Sequence, residues 1–210
     1  MLEEYYNKET ETLTLPINFN SLLKDLPLGA KKIIFFEEYC YNNTYSIFNK
    51  SVDNLPSSLT HLTFGAYFNQ KVDNLPSSLT HLTFGLLFNK KVKNLPSSLT
   101  HLTFRTNFNE KVDNLPSSLT DITFGHNFNQ TVDNLPLSLT HLTFGYSFNQ
   151  KVDNLPSSLT HLTFGPYFNQ KVNNLPSSLK EIKIHKQKVN LLKKIPFGCK
   201  VVDENNMEIL

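Results

Sequence analysis

Leu59-Thr60-His61-Leu62-Thr63-Phe64-Gly65-Ala66-Tyr67-Phe68-Asn69-Gln70-Lys71-Val72-Asp73-Asn74-Leu75-Pro76-Ser77-Ser78 is followed at once by Leu79-Thr80-His81-Leu82-Thr83-Phe84-Gly85, and the unit starts again. Its phenylalanines recur without slippage at Phe48, Phe68, Phe88, Phe108, Phe128, Phe148 and Phe168. A fixed period of 20 residues means that each unit is one supersecondary coil stacked on the next. The architecture follows from that period, and an enzyme is disfavoured by it.

Within one coil, His61 and Thr63 alternate with Leu62 and Phe64. That period of two marks a short strand, with Leu62 and Phe64 inward and His61 and Thr63 outward. Phe68, Val72 and Leu75 supply the remaining inward side chains. Gly65 is expected to allow a sharp turn, and Pro76 to set the return bend. The segment from Phe68 to Leu79 is too short for a regular helix, so it is expected to be extended or a brief 3₁₀ turn. Phe64 and Phe68 recur in register, which predicts two columns of stacked rings. Asn69, Asn89, Asn109, Asn129, Asn149 and Asn169 also recur, and their amides are expected to point inward as a structural ladder satisfying turn backbone.

Leu-x-x-Leu-x-Leu/Phe is the core pattern of leucine-rich repeats, one strand per coil in a parallel sheet. The expected fold is a single right-handed leucine-rich-repeat solenoid, α/β by family but mostly β here. It reads as one continuous domain. Residues 1–47 form N-terminal capping coils with an inserted loop, residues 48–184 the regular repeats, and residues 185–210 a C-terminal cap. Leu13-Thr14-Leu15-Pro16-Ile17-Asn18-Phe19-Asn20 is a worn copy of the unit, and Ile33-Ile34-Phe35 continues the next strand. Phe19 and Phe48 stand 29 residues apart, nine more than the period, so Glu37–Ile47 is expected to bulge. Ile182, Ile184, Leu192, Ile195-Pro196 and Val202 keep the period into a last coil.

Phe64-Gly65-x-x-Phe68-Asn69 resembles the motif of the FNIP-repeat, or FGxxFN, branch of leucine-rich-repeat proteins, found in social amoebae and giant viruses of protists. The stretches from Phe84, Phe124, Phe144 and Phe164 match too; the one from Phe104 carries Arg105 in place of glycine. The resemblance implies an asparagine ladder shifted from its usual place, a double phenylalanine spine, and histidines stacked on the concave face. Some members of that family carry an N-terminal F-box, for which residues 1–18 are too short.

The formal net charge of +2 points to neither nucleic acid nor membrane. Met1-Leu2-Glu3-Glu4-Tyr5-Tyr6 lacks the basic and apolar regions of a secretory signal, and no apolar run reaches membrane-spanning length. Cys40 and Cys199 lie near opposite ends and read as free thiols of a reducing, cytoplasmic compartment, the host cytoplasm if the source is viral. Glycosylation patterns at Asn42, Asn49 and Asn129 are set aside, the latter two because their repeat position is read as inward.

Asp53, Ser57, Ser58 and His61 suggest a catalytic triad, but the same set recurs in nearly every coil, and a repeated set is scaffold. His61, His81, His101, Asp121, His141 and His161 form a row whose imidazoles stack at the strand spacing of about 4.8 Å. No thiolate or repeated carboxylate completes a closed metal site, so no metal and no other cofactor is expected. Lys180, Lys183, Lys186, Lys188, Lys193, Lys194 and Lys200 read as protection of the terminal sheet edge rather than as a basic patch for an acidic protein or RNA. The coils differ most at the two positions after the glycine, which include Tyr67, Asn107, Tyr146 and Tyr167.

The expected function is a non-enzymatic protein–protein interaction scaffold with no small-molecule substrate. Its candidate partner-binding residues are His61, Thr63, His81, Thr83, His101, Thr103, Asp121, His141, Thr143, His161 and Thr163, with Tyr67, Asn107, Tyr146 and Tyr167 on the adjoining loop. The alternatives are a structural or self-assembling repeat protein, and a substrate-recognition subunit of a ubiquitin ligase whose F-box sits on another chain. The chain is expected to be a monomer or a homodimer joined through its caps.

Overall fold

A computed structural model describes residues 2–36 and 44–210. The bulge expected within Glu37–Ile47 falls largely outside the described residues, as do Cys40 and the Asn42 pattern.

The strands, in chain order, are β1 (Tyr6–Asn7), β2 (Thr12–Leu15), β3 (Lys32–Phe35), β4 (His61–Thr63), β5 (His81–Thr83) and β6 (His101–Thr103). They continue as β7 (Asp121–Thr123), β8 (His141–Thr143), β9 (His161–Thr163), β10 (Glu181–Lys183) and β11 (Lys200–Val202). All lie in one sheet in sequence order, parallel from β2 to β11. The molecule is a parallel β-solenoid of the leucine-rich-repeat type. Register is fixed by the repeat itself: His81 faces His101, Leu82 faces Leu102 and Thr83 faces Thr103. A slip of one residue would turn Leu82 and its equivalents out to solvent, so burial locks the alignment. The convex segments contain turns and extended chain, and the described 3₁₀ helices are terminal, at Leu2–Tyr5 and Lys186–Leu191.

The core is a double column of phenylalanine. Within a coil, Phe64 and Phe68 stack at 3.7 Å between centroids and Phe104 and Phe108 at 3.6 Å. Between coils the spacing is wider, 5.7 Å for Phe64–Phe84 and 6.1 Å for Phe68–Phe88. These rings are fully buried. Each contributes on the order of 1.5–3 kcal/mol through burial, so the columns carry much of the stability. Phe19, Phe35 and Phe48 extend the columns into the worn coils.

The glycine after the strand opens a turn as expected, with Phe68 N–H reaching Gly65 O at 3.3 Å, but the turn is not what requires glycine. Gly198 is the glycine among the described residues with φ in the left-handed region, at 75°. Gly85 and Gly145 are needed instead for close approach: a Cβ on either would lie 1.9 or 2.0 Å from the carbonyl oxygen of the glycine one coil earlier. Backbone fills that space and cannot yield as a flexible side chain would.

Both sheet edges are covered by the chain itself. At one end β1 pairs antiparallel with β2, Tyr6 opposite Leu13, a hairpin absent from the sequence reading. At the other, residues 207–210 fold back on β11: Ile209 N–H donates to Val201 O at 2.8 Å and Val201 N–H to Leu210 O at 2.9 Å. Asp203, nearly buried, holds that return by accepting from the N–H groups of Asn205 and Met207, each at 2.9 Å. Edge protection therefore comes from these backbone pairings rather than from the lysines. Lys183 reaches Asn206 instead, and Lys193 the carbonyl of Asn190.

Candidate functional site

Parallel strands paired in register, 20 residues apart from His61 to Glu181, carry each outward position into a row. The first row runs Lys32, His61, His81, His101, Asp121, His141, His161, Glu181 and Lys200. A second row beside it runs Thr63, Thr83, Thr103, Thr123, Thr143 and Thr163. The candidate histidines and threonines are thus brought onto one face. Lys32 and Glu181 extend the first row and were missed in the sequence. Aligning Lys32-Ile33-Ile34-Phe35 and Glu181-Ile182-Lys183-Ile184 with His61-Leu62-Thr63-Phe64 would have found them.

The histidine rings stack face to face. His61–His81 and His81–His101 lie 4.1 Å apart with interplanar angles of 12° and 11°, and His141–His161 lie 4.4 Å apart. Asp121 divides the two stacks. Its Oδ2 is 3.5 Å from His101 Nε2 and its Oδ1 is 3.4 Å from His141 Nδ1.

A further set of residues, unsuspected from the sequence, orients the rings. Thr80 Oγ1 lies 3.1 Å from Thr60 O and 2.9 Å from His81 Nδ1. The same pair of contacts is made by Thr60, Thr100, Thr140 and Thr160. A hydroxyl has one hydrogen, and a carbonyl can only accept it. With that hydrogen on the carbonyl, the hydroxyl accepts from imidazole Nδ1–H. At His61 and His81, away from Asp121, the neutral ring therefore presents a bare Nε2 outward. His61 and His81 titrate below their ordinary value: burial disfavours their charge first, and Lys32 and the neighbouring imidazoles add to it. Asp121 acts on His81 in the opposite sense.

The stacking bears on metal chemistry. Lone pairs in the planes of parallel rings point side by side and do not converge on one ion. Among the described residues no group of three or more His, Cys, Asp or Glu is placed to hold a metal. The triad residues are otherwise engaged: Ser58 Oγ lies 3.0 Å from the carbonyl oxygens of both Leu28 and Ala30, which share its one hydrogen, and Asp53 accepts from Ser51 and Asn74.

The loop residues are spread along the turns beyond the strands. Tyr146 and Tyr167 meet edge to face at 4.4 Å, and their hydroxyls are 3.3 Å apart. His126, not singled out beforehand, stacks on Tyr146 at 4.5 Å. Asn107 accepts from Asn127 Nδ2 at 3.2 Å. Tyr67 lies several coils away from Tyr146 and Tyr167 and joins neither.

Just after the same turns, each repeated asparagine Oδ1 accepts the N–H of its equivalent in the next coil: Asn89 from Asn109 at 2.9 Å, Asn109 from Asn129 at 2.9 Å, Asn149 from Asn169 at 2.8 Å. The run begins at Asn20, which receives Asn49 N–H, and ends at Asn169, which receives Lys188 Nζ at 3.0 Å. These side chains are half-buried or exposed, not inward. The strictly inward place belongs to the adjacent phenylalanine, and the amide sits over the coil's rim. The burial argument against sugar attachment at Asn49 and Asn129 therefore lapses.

Among the described residues, no helix is long and apolar enough to cross a membrane. The FNIP Repeat family model matches residues 48–87, 88–127, 111–147, 128–154 and 148–187. No curated protein sequence matches the chain. Among solved structures, CroV588, described as a novel circular LRR protein, is similar at 33% identity and a TM-score of 0.44, over 92% of this chain and 43% of its own. YopM from Yersinia enterocolitica WA-314 is similar at 20% identity and a TM-score of 0.52, over 90% of this chain and 37% of its own. The chain thus spans about two fifths of the length of either structure. With five matched segments that together run from residue 48 to residue 187, the chain belongs to the FNIP repeat family.

Proposed function

We propose that this chain is a non-enzymatic scaffold that binds another protein through its strand face and the adjoining turns. The observation that carries this reading is the division of labour along each strand. Leu82 and Phe84 are buried in the core, while His81 and Thr83 between and beside them remain partly open to solvent in rows along the sheet. A surface held rigid by a repeated core, with side chains that the core does not need, suits recognition. Pairing of both sheet edges by the chain's own ends disfavours edge-to-edge self-assembly.

Carbethoxylation of histidine, read by mass spectrometry on the chain alone and with a partner captured from cell extract, tests this. His61, His81, His101, His141 and His161 are expected to be protected by the partner, and His185 in the C-terminal cap is not. Protection confined to His185 would move the site to the lysine-rich cap and overturn the reading.

A further inference from the structure

The strand face is not uniform in charge along its length. Its first half reads Lys32, His61, His81, His101 in adjacent strands, with Lys31 one position away on the same coil as Lys32. Lys31 is paired with Glu11 at 2.7 Å, whereas among the described residues no ion pair involves Lys32, His61 or His81. Asp121 closes this half, and beyond it lie His141, His161 and Glu181. The groups that face the three imidazoles are therefore Lys32 on one side, Asp121 on the other, Thr60, Thr80 and Thr100 beneath Nδ1, and the threonine row alongside.

We propose that this first half, from Lys32 to His101, docks an acidic peptide segment of the protein partner, and that protonation of the imidazoles switches the docking on. The inference rests on the scaffold reading and names the chemistry of its partner. His101 Nε2 already faces Asp121; at His61 and His81 the threonine hydroxyls fix Nδ1–H inward, so each neutral ring offers a carboxylate only the lone pair of Nε2. That contact is repulsive. Adding a proton turns Nε2 into a charged donor, and a run of such donors beside Lys32 becomes a carboxylate-binding strip. In the free protein, burial and mutual repulsion hold His61 and His81 in the neutral state near pH 7. Carboxylates laid along the strip supply the missing counter-charge, so binding takes up protons and tightens as pH falls. A peptide fits better than RNA, because the ring faces are already stacked on one another and leave edges, not platforms, for a base.

Fluorescence anisotropy with a labelled hexaglutamate peptide on the full chain, at constant ionic strength, tests the proposal. Hexaglutamine and a uridine 12-mer RNA serve as comparison probes. Hexaglutamate is expected to bind roughly tenfold more tightly at pH 5.5 than at pH 7.5. His61→Ser/His81→Ser/His101→Ser is expected to abolish that gain, and His141→Ser/His161→Ser to retain it. His81→Lys, which carries a charge at both pH values, is expected to raise affinity at pH 7.5 and flatten the dependence, a gain that misfolding cannot mimic. Equal affinity at both pH values, a gain that survives the first triple substitution, or RNA showing the histidine-dependent gain in place of the peptide would each overturn it. If hexaglutamate fails while the captured partner still protects the row from carbethoxylation, this inference falls and the scaffold reading stands. If that protection also fails, both fall.

Discussion

His101 Nε2 lies 3.5 Å from Asp121 Oδ2, at the one place where the histidine row is broken by a carboxylate. The negative charge at Asp121 opposes the burial and the neighbouring cations that hold His81 below its ordinary value. Asp121→Asn is therefore expected to move the His81 titration further down. Two-dimensional NMR of the imidazole carbons over pH 5–8 reads it. An upward movement of His81 would contradict the electrostatic picture of the row.

The same row makes folding stability depend on pH. His61 and His81 have folded-state values below the ordinary 6.5, so the unfolded chain binds protons more readily. Their stabilising contribution is complete above pH 6.5 and is lost as pH falls through 6.5 toward the lower folded values. Thermal melts at pH 7.5 and pH 5 should show a decline in midpoint that His61→Ser/His81→Ser reduces. An unchanged decline in the double variant would place the sensitivity elsewhere.

The asparagine run gives a graded expectation. Asn109 Oδ1 accepts both Asn129 N–H and Gln130 Nε2, at 2.9 and 3.1 Å, but at a rim open to water. Asn109→Ala is expected to cost about 0.5–1.5 kcal/mol, the net worth of a hydrogen bond whose partners water can reach. Asn107→Ala, which loses one exposed amide contact to Asn127, should cost less than about 0.5 kcal/mol. Denaturant melts that give equal losses would contradict a structural role for the run.

The period itself is testable by deletion. Removing residues 91–110 excises one repeat length and brings Lys111 to the place of Lys91, leaving every phenylalanine in its column. The product should fold with a modest loss of stability, because each coil contacts its neighbours alone. Removing residues 91–100 puts strand against turn and should abolish cooperative melting. Equal behaviour of the two deletions would contradict the solenoid.

Phe64, Phe68 and Leu62 were legible because a period of two inside a period of 20 leaves one pattern of burial. The strand rows were legible for the same reason. The terminal devices were not: Tyr6–Asn7 and the return of residues 207–210 act once each, so no repetition announces them. The glycine does open a turn, Phe68 N–H reaching Gly65 O, but what demands glycine there lies in the backbone of the previous coil, which a single unit does not display. The asparagine amides were placed too deep, since recurrence marks a position as structural without saying which side of the rim it occupies. The hydroxyls of Thr60 and its equivalents were not singled out, although each one sets the orientation of the histidine that follows.

The central claim is that folding and recognition reside on different side chains of the same strands. Its most direct test pairs His81→Ser/His101→Ser/His141→Ser with Phe84→Ala, measuring melting temperature and retention of the captured partner on the same samples. The triple variant is expected to melt within a few degrees of the wild type at pH 7.5, since exposed substitutions cost under about 0.5 kcal/mol each, and to lose the partner. Phe84→Ala, which opens a cavity in a fully buried column, is expected to cost about 3–5 kcal/mol. A folded triple variant that holds the partner as tightly as the wild type would contradict the account.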